Sequence, residues 1–141
     1  MNESASAREA LLRFYEAFTN AGPGDIELFD GVFTQRDDLL VVGTAYHEWV
    51  ASRERGKAMW GTEGIGIEPG DPVAWESGDV AWAVDRPSFV ARDVRIPIRL
   101  TVVMSRESGS WKVRHGHFSI GVPDEVGFEN ALEWSAATPA H

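Results

Sequence analysis

The sequence contains no cysteine, and this absence excludes disulfide bonds, thiolate zinc sites and cysteine nucleophiles together. Long hydrophobic runs are also missing, since no stretch approaches the ~18 apolar residues that a membrane-spanning helix needs. The initial "MNESASARE" has no apolar core of the kind that a signal peptide carries. We therefore expect a cytoplasmic protein that has no membrane partner.

Positive charge is scarce as well. The chain has 13 lysines and arginines against 22 acidic residues, which gives a formal net charge of −9. The basic residues are scattered singly, so no basic patch is available to pair with phosphates. Nucleic acids and anionic membranes are therefore not expected partners.

The 141 residues, 43% of them hydrophobic, suit one domain over residues 1–141 with its core at about 5–128. Apolar positions at Ala7, Leu11, Tyr15 and Phe18 follow the period of a helix, behind a candidate capping box at "SARE". Asp25 is a candidate cap of a second short helix, and a third helical segment is predicted at 47–60. "LLVVG" (39–43) is typical of a short buried strand. No role is evident for the tail after Glu125.

From Pro69 onward the pattern changes to strands joined by short turns, which must be antiparallel neighbours. Pro87 and Pro97 interrupt long strands and indicate bends, hence a curved sheet. Helices followed by a curved antiparallel meander predict an α+β domain.

Two predicted turns determine which residues of neighbouring strands lie opposite each other. With "ARD" (91–93) as a three-residue loop, Asp85 lies opposite Arg99 on the outer face of the sheet. A two-residue turn is predicted at Ser108-Gly109. The helix-facing side is then predicted to contain Val80, Trp82, Val84, Ile96, Ile98, Leu100, Val102, Met104, Val113, His115 and His117.

Two histidines on that inner face need an explanation. In "WKVRHGHFSIGVPDE" (111–125), His115 and His117 share a face with Trp111 and Val113. They could be core histidines with satisfied hydrogen bonds, or they could contact a ligand as polar or acid–base groups. A metal site would need a third ligand, such as His47, and the ligand spacing of known metal motifs is absent. We expect no metal and no cofactor.

Aromatic residues suggest further candidates. Tyr15 lies on the inner face of the first helix, either as a core tyrosine with one hydrogen bond or as a donor to a ligand oxygen. Among six tryptophans, Trp60 and Trp82 could form the walls of a pocket, although core packing is an equal explanation.

Several segments together resemble a known family. "LLVVGT", "GDVAW", "PIRLTVVMSRESGSWKV" and "HFSIGVPDE" are similar to the SnoaL-like branch of the NTF2-like superfamily, over roughly residues 5–128. The resemblance implies a cone in which a curved sheet wraps around helices and encloses a cavity, commonly as a homodimer packed through the sheet. It does not specify an activity, because this superfamily includes isomerases, cyclases, dehydratases, hydrolases, binders and oligomerisation domains.

The steroid isomerases of the superfamily provide a comparison. Tyr15 matches their oxyanion-binding tyrosine, but the positions of their two acidic groups fall on Gly43 and about Val102 here. Neither residue can transfer a proton, so the resemblance disfavours that activity.

Three functional hypotheses follow. The first is a binder of a small, partly apolar molecule. The second is a cyclase, lyase or isomerase in which His117 or His115 acts as general base and Tyr15 stabilises an oxyanion. The third is a self-association module. The predicted ligand-contacting walls are Trp60, Trp82, Leu100 and Val102, and the predicted polar contacts are Tyr15, His115 and His117.

Overall fold

The computed structural model describes residues 2–137, and the side chains of residues 2–133. The helices are α1 (Ala5–Asn20), α2 (Ile26–Val32), α3 (Arg53–Met59) and α4 (Asp124–Ala137). The strands are β1 (Asn2–Glu3), β2 (Leu40–Val42), β3 (Trp49–Val50), β4 (Gly66–Glu68), β5 (Val73–Ser77), β6 (Val80–Asp85), β7 (Ser88–Ala91), β8 (Val94–Pro97), β9 (Arg99–Glu107) and β10 (Ser110–Ser119). The residues after Glu125 therefore begin within a helix.

The strands form two sheets. The larger has the order β1-β5-β6-β9-β10-β2-β3, and the smaller has the order β4-β7-β8. Every pairing is antiparallel except that of β10 with β2, which is parallel. Helix α1 packs on β5, β6 and β10, and α2 packs on β10. The predicted α+β fold, with a curved sheet around the N-terminal helices, is confirmed.

The helix caps agree only in part with prediction. Ser4 caps α1 by accepting the Ala7 N–H at 3.1 Å, whereas the hydroxyl of Ser6 accepts the Trp111 indole N–H at 3.0 Å. The capping box predicted at Ser6 is therefore wrong. Asp25 does cap α2, since its carboxylate accepts the Leu28 N–H at 3.3 Å.

The third predicted helical segment is shorter than expected. Trp49 and Val50 form strand β3, and α3 begins only after Ser52, whose hydroxyl accepts the Arg55 N–H at 3.2 Å. The helix ends at Met59, which places Trp60 at its C-terminal cap.

The hairpin of β7 and β8 differs from prediction by one residue. Ala91 pairs with Val94, so Arg92 and Asp93 form a two-residue turn, and Arg92 has a φ of 55°. The break around Pro87 also separates β6 from β7, so that the two strands join different sheets.

As a result, β6 presents the opposite face from the one predicted. Ala81, Ala83 and Asp85 are buried, while Val80 and Val84 are exposed. Trp82 pairs with Val103 instead of Val102. The predicted outer-face pair of Asp85 with Arg99 is wrong, because Asp85 lies on the inner face opposite Leu100.

The last hairpin begins as predicted and then changes register. Glu107 pairs with Ser110 across the Ser108-Gly109 turn, whose two residues have φ values of 50° and 80°. A β-bulge between Val113 and His115 then shifts the register by one residue. Because side chains alternate along a strand, a one-residue shift reverses every later position.

The bulge overturns the predicted orientation of the histidines. Gly116 and Phe118 are buried, whereas His117 is exposed and His115 is half-buried. His115 pairs with Val103 and His117 with Thr101. Both imidazole groups therefore project away from the helices.

Within residues 2–137, no helix has both the length and the hydrophobicity needed to cross a bilayer.

Candidate ligand cavity

A cavity of about 400 Å³ lies between the helices and the two sheets. Its wall contains seven aromatic side chains from five parts of the chain. They are Phe14 and Phe18 of α1, Phe29 and Phe33 of the α2 region, Trp60 after α3, Phe89 of β7 and Phe118 of β10. Phe118 faces the cavity as a consequence of the β10 bulge, so the shift that turns the histidines outward brings an aromatic ring inward.

Part of this wall is a set of edge-on aromatic contacts. Phe33 meets Phe14 at 5.5 Å between ring centroids and Trp60 at 5.4 Å, with interplanar angles of 82° and 84°. Trp60 also meets Phe29 at 5.7 Å and 79°. Such edge-to-face contacts are favoured by the ring quadrupoles and hold each ring in one orientation.

A glycine allows α3 to approach this cluster. A Cβ atom at Gly56 would lie 3.2 Å from the Phe29 ring and 3.4 Å from a methyl group of Leu39. The absence of a side chain at Gly56 therefore lets α3 pack directly on α2, and this packing places Trp60 in the cavity wall.

Two carboxylates stand among the lining residues. The polar side chains of the wall belong to Thr19, Thr44, Glu48 and Glu63, and the wall has no lysine, arginine or histidine among its described residues. One oxygen of Glu48 accepts the Ala45 N–H at 2.9 Å, which fixes this side chain against the turn between β2 and β3.

Glu63 is electrostatically coupled to Glu48. The pKa of Glu63 is raised, first by partial desolvation of its carboxyl group and then by the negative charge of Glu48, while His47 opposes the shift. Like charges in proximity favour protonation of one of them. Glu63 is exposed and Glu48 is half-buried, so these two lining carboxylates lie at the rim of the cavity, which is therefore a region of negative potential.

Trp60 has an unusual polar atom. The residue is 6% exposed, and its indole N–H is the single buried side-chain donor without a hydrogen-bond partner among the described side chains. A buried donor left unpaired costs about 1–3 kcal/mol. A polar group that bears such a cost needs an explanation, and a ligand that accepts its hydrogen bond would supply one.

Of the four predicted wall residues, Trp60 lines the cavity. Leu100 and Val102 are 2% and 1% exposed and lie in the solid core instead. Trp82 lies on the outer face of the sheet, stacked on Trp75 at 6.2 Å. The predictions for Leu100, Val102 and Trp82 as cavity walls are wrong, for Trp82 because of the changed β6 register.

The three predicted polar residues do not line the cavity either. The Tyr15 hydroxyl donates to Asp85 Oδ2 at 2.7 Å inside the protein. The Nδ1 atom of His115 lies 2.9 Å from the backbone oxygen of Leu40, and His117 is exposed. The predicted placement of Tyr15, His115 and His117 in the cavity is therefore wrong.

Glu48 and Glu63 were not among the site residues predicted from the sequence. Both lie in irregular connections, at 43–48 and 61–65, where the chain has no periodicity that could indicate an inward direction. In the part of the chain that the structure describes, no cluster of three or more potential metal ligands occurs.

Comparisons with known proteins agree on the fold. Residues 7–123 match the family described as SnoaL-like domain. No curated protein matches the sequence. Among solved structures, an NTF2-like protein of unknown function from Pseudomonas putida is 21% identical, with a TM-score of 0.70 over 88% of this chain and 93% of that one.

Two further structures have the same fold. A provisionally assigned dehydratase of the NTF2-like family from Streptomyces avermitilis is 19% identical, with a TM-score of 0.68 over 84% of this chain and 95% of that one. An uncharacterised protein with a cystatin-like fold from Caulobacter vibrioides is 21% identical, with a TM-score of 0.64 over 91% and 96%.

Proposed function

The chain belongs to the SnoaL-like domain family, and from that premise we propose that it binds a small, largely apolar molecule in its cavity. The observation that carries the proposal is the cavity of about 400 Å³ with seven aromatic side chains in its wall. Ligand pockets are typically ~300–1,000 Å³ and mostly apolar, with a few polar groups that orient the ligand. Glu48, Glu63 and the unpaired N–H of Trp60 are the polar groups of this kind.

The experiment is a calorimetric titration of the protein with naphthylmethanol, a neutral aromatic probe. The wild-type protein should bind it saturably at one site. Val41 lines the cavity from β2, so Val41→Phe should fill the space and abolish binding. Val80→Phe is the matched control, because Val80 is exposed on the outer face of β6. Absent binding, or equal binding by both variants, contradicts the proposal.

We do not propose acid–base catalysis by a histidine in this cavity. His115 and His117 project away from the cavity, and Tyr15 is engaged with Asp85. An acid–base reaction in this cavity would have to use Glu48 and Glu63 instead.

We also propose that two copies associate through the outer face of the large sheet. Val73 pairs with Val84 and Trp75 with Trp82 across β5 and β6, and all four side chains are on the outer face. Val80 extends the same apolar strip. Contiguous exposed apolar side chains of this kind often mark an interaction surface.

A further inference from the structure

We propose that the ligand is an apolar amine, whose ammonium group lies at the Glu48–Glu63 rim while its hydrocarbon part occupies the aromatic cavity. This inference rests on the proposed function and adds the chemical class of the ligand. It is carried by the arrangement of the cavity, with aromatic walls and two carboxylates at its rim.

The charge of the wall is of one sign. Glu48 and Glu63 are its two ionisable side chains among the described lining residues. Arg53, the cation beside Phe29, is held by Asp30 and by the backbone oxygen of Thr34, and it does not line the cavity. An anionic ligand would therefore meet uncompensated negative charge, whereas a cation would be attracted.

Glu63 is available to such a cation. Within the described residues, its carboxyl group makes no hydrogen bond or ion pair, and its electrostatic partners are Glu48 and the exposed His47. An ammonium group between the two carboxylates would relieve their mutual repulsion. Among the described residues, the other oxygen of Glu48 accepts no hydrogen bond, since the Ala45 N–H donates to Oε1.

The aromatic walls favour the same class of ligand. Ring faces are negative, so they attract a cation or the polarised carbon atoms beside an ammonium group. The unpaired N–H of Trp60 adds a separate requirement, because it would be satisfied by a hydrogen-bond acceptor elsewhere on the ligand. An aromatic or alicyclic amine that also carries an ether, hydroxyl or carbonyl oxygen meets each of these conditions.

The test compares three probes of equal shape by calorimetry at neutral pH and low salt: naphthylmethylamine, naphthylmethanol and naphthoic acid. We expect the amine to bind about tenfold more tightly than the alcohol and the acid to bind at least about tenfold more weakly, since two carboxylates act on one partly exposed charge and each such pair contributes up to about fivefold. The preference for the amine should fall as salt is added.

Matched variants assign the effect to the rim. Glu63→Gln and Glu48→Gln should each reduce the ratio of amine affinity to alcohol affinity, since each removes one carboxylate from the wall. Glu54→Gln is the control, because Glu54 is an exposed residue of α3 outside the cavity wall and the net charge changes equally.

The other outcomes are distinct. If the alcohol binds and the amine has no advantage, the amine inference is overturned and the proposed function stands. That result is the one expected if the two carboxylates act as an acid–base pair on a neutral substrate. An amine advantage that persists in both glutamine variants also overturns the inference. If none of the three probes binds, both the inference and the proposed function are overturned.

Discussion

The hydroxyl of Tyr15 donates a 2.7 Å hydrogen bond to Oδ2 of Asp85, which connects α1 to the end of β6. Asp85 also accepts the backbone N–H groups of Gly70, at 3.1 Å, and Arg86, at 2.7 Å. Burial raises the pKa of Tyr15, and the hydrogen bond and charge of Asp85 raise it further. Tyr15 therefore remains a protonated donor, and this pair stabilises the fold away from the cavity wall.

The first prediction follows from this pair. Tyr15→Phe should lower the free energy of unfolding by about 1–3 kcal/mol, because a buried acceptor loses one of its donors. Urea unfolding measures the change, with Glu16→Gln, an exposed position on the same helix, as control. Naphthylmethanol binding should be retained. Unchanged stability together with lost binding would instead favour a ligand contact for Tyr15.

The sequence was sufficient for the fold and for the beginning of the last hairpin, but not for the face on which side chains lie beyond an irregularity in a strand. Ser108-Gly109 is a local turn signal, so the pairing of Glu107 with Ser110 could be predicted. The bulge after Val113 has no comparable local signal, since it depends on how β10 fits between β9 and β2. One extra residue there exchanged His117 for Phe118 as the inward side chain.

The cavity was harder to predict than the fold. Phe18 was placed on the inner face of the first helix by the helical period, and Trp60 was identified as a candidate wall residue. Glu48 and Glu63, in contrast, reach the rim through irregular chain segments whose paths depend on tertiary contacts. A sequence pattern identifies faces of regular elements, and it has no equivalent for loops.

The second prediction concerns Glu107, which joins β9 to the loop after α2. Burial opposes its ionisation, but hydrogen bonds from Ser105, Thr34 and the Gln35 backbone, together with the positive charge of Arg114, outweigh it, so the pKa of Glu107 is lowered. Glu107→Ala should cost about 1–3 kcal/mol at neutral pH, partly because the buried Thr34 hydroxyl loses its acceptor.

The pH dependence of that cost has a definite sign. A carboxyl group with a lowered folded-state pKa stabilises the fold above the ordinary glutamate pKa, and this contribution is lost as pH falls through the lowered value. The stability difference between wild type and Glu107→Ala should therefore shrink in acid. Urea unfolding over a pH series measures it, with Glu9→Ala at an exposed position as control. A difference that grows in acid would contradict this assignment.

The third prediction concerns the pH dependence of amine binding. Because the pKa of Glu63 is raised, its carboxyl group stays protonated at pH values where an ordinary glutamate is ionised. Affinity for naphthylmethylamine should therefore increase as pH rises through this raised value, and Glu63→Gln should flatten that part of the profile. Glu48 and His47 face the same carboxyl group, so calorimetry on Glu48→Gln and His47→Gln separates their contributions. A wild-type profile that Glu63→Gln leaves unchanged would assign the titration to another group.

The fourth prediction tests association through the outer face of the large sheet. Val84→Lys places a charge in the apolar strip beside Val73, and it should shift sedimentation from dimer to monomer. Val94→Lys is the matched control, since Val94 is also exposed but belongs to the smaller sheet. A wild-type monomer at all accessible concentrations, or equal effects of the two lysines, would contradict the proposed interface.

The fifth prediction concerns Gly43→Ala, a substitution that displaces the Glu48 side chain without removing any charge. A Cβ atom at Gly43 would lie 2.6 Å from Oε2 of Glu48 and 2.7 Å from its Cβ, so this side chain could not remain where it is. Gly43→Ala should therefore reduce the preference for naphthylmethylamine over naphthylmethanol, although every carboxylate is still present. Gly31→Ala is the control, because its added Cβ meets no atom within 4 Å. Calorimetry with both probes measures the ratio of affinities. A ratio that Gly43→Ala leaves intact would mean that net charge, and not the position of the Glu48 carboxylate at the rim, determines the selectivity.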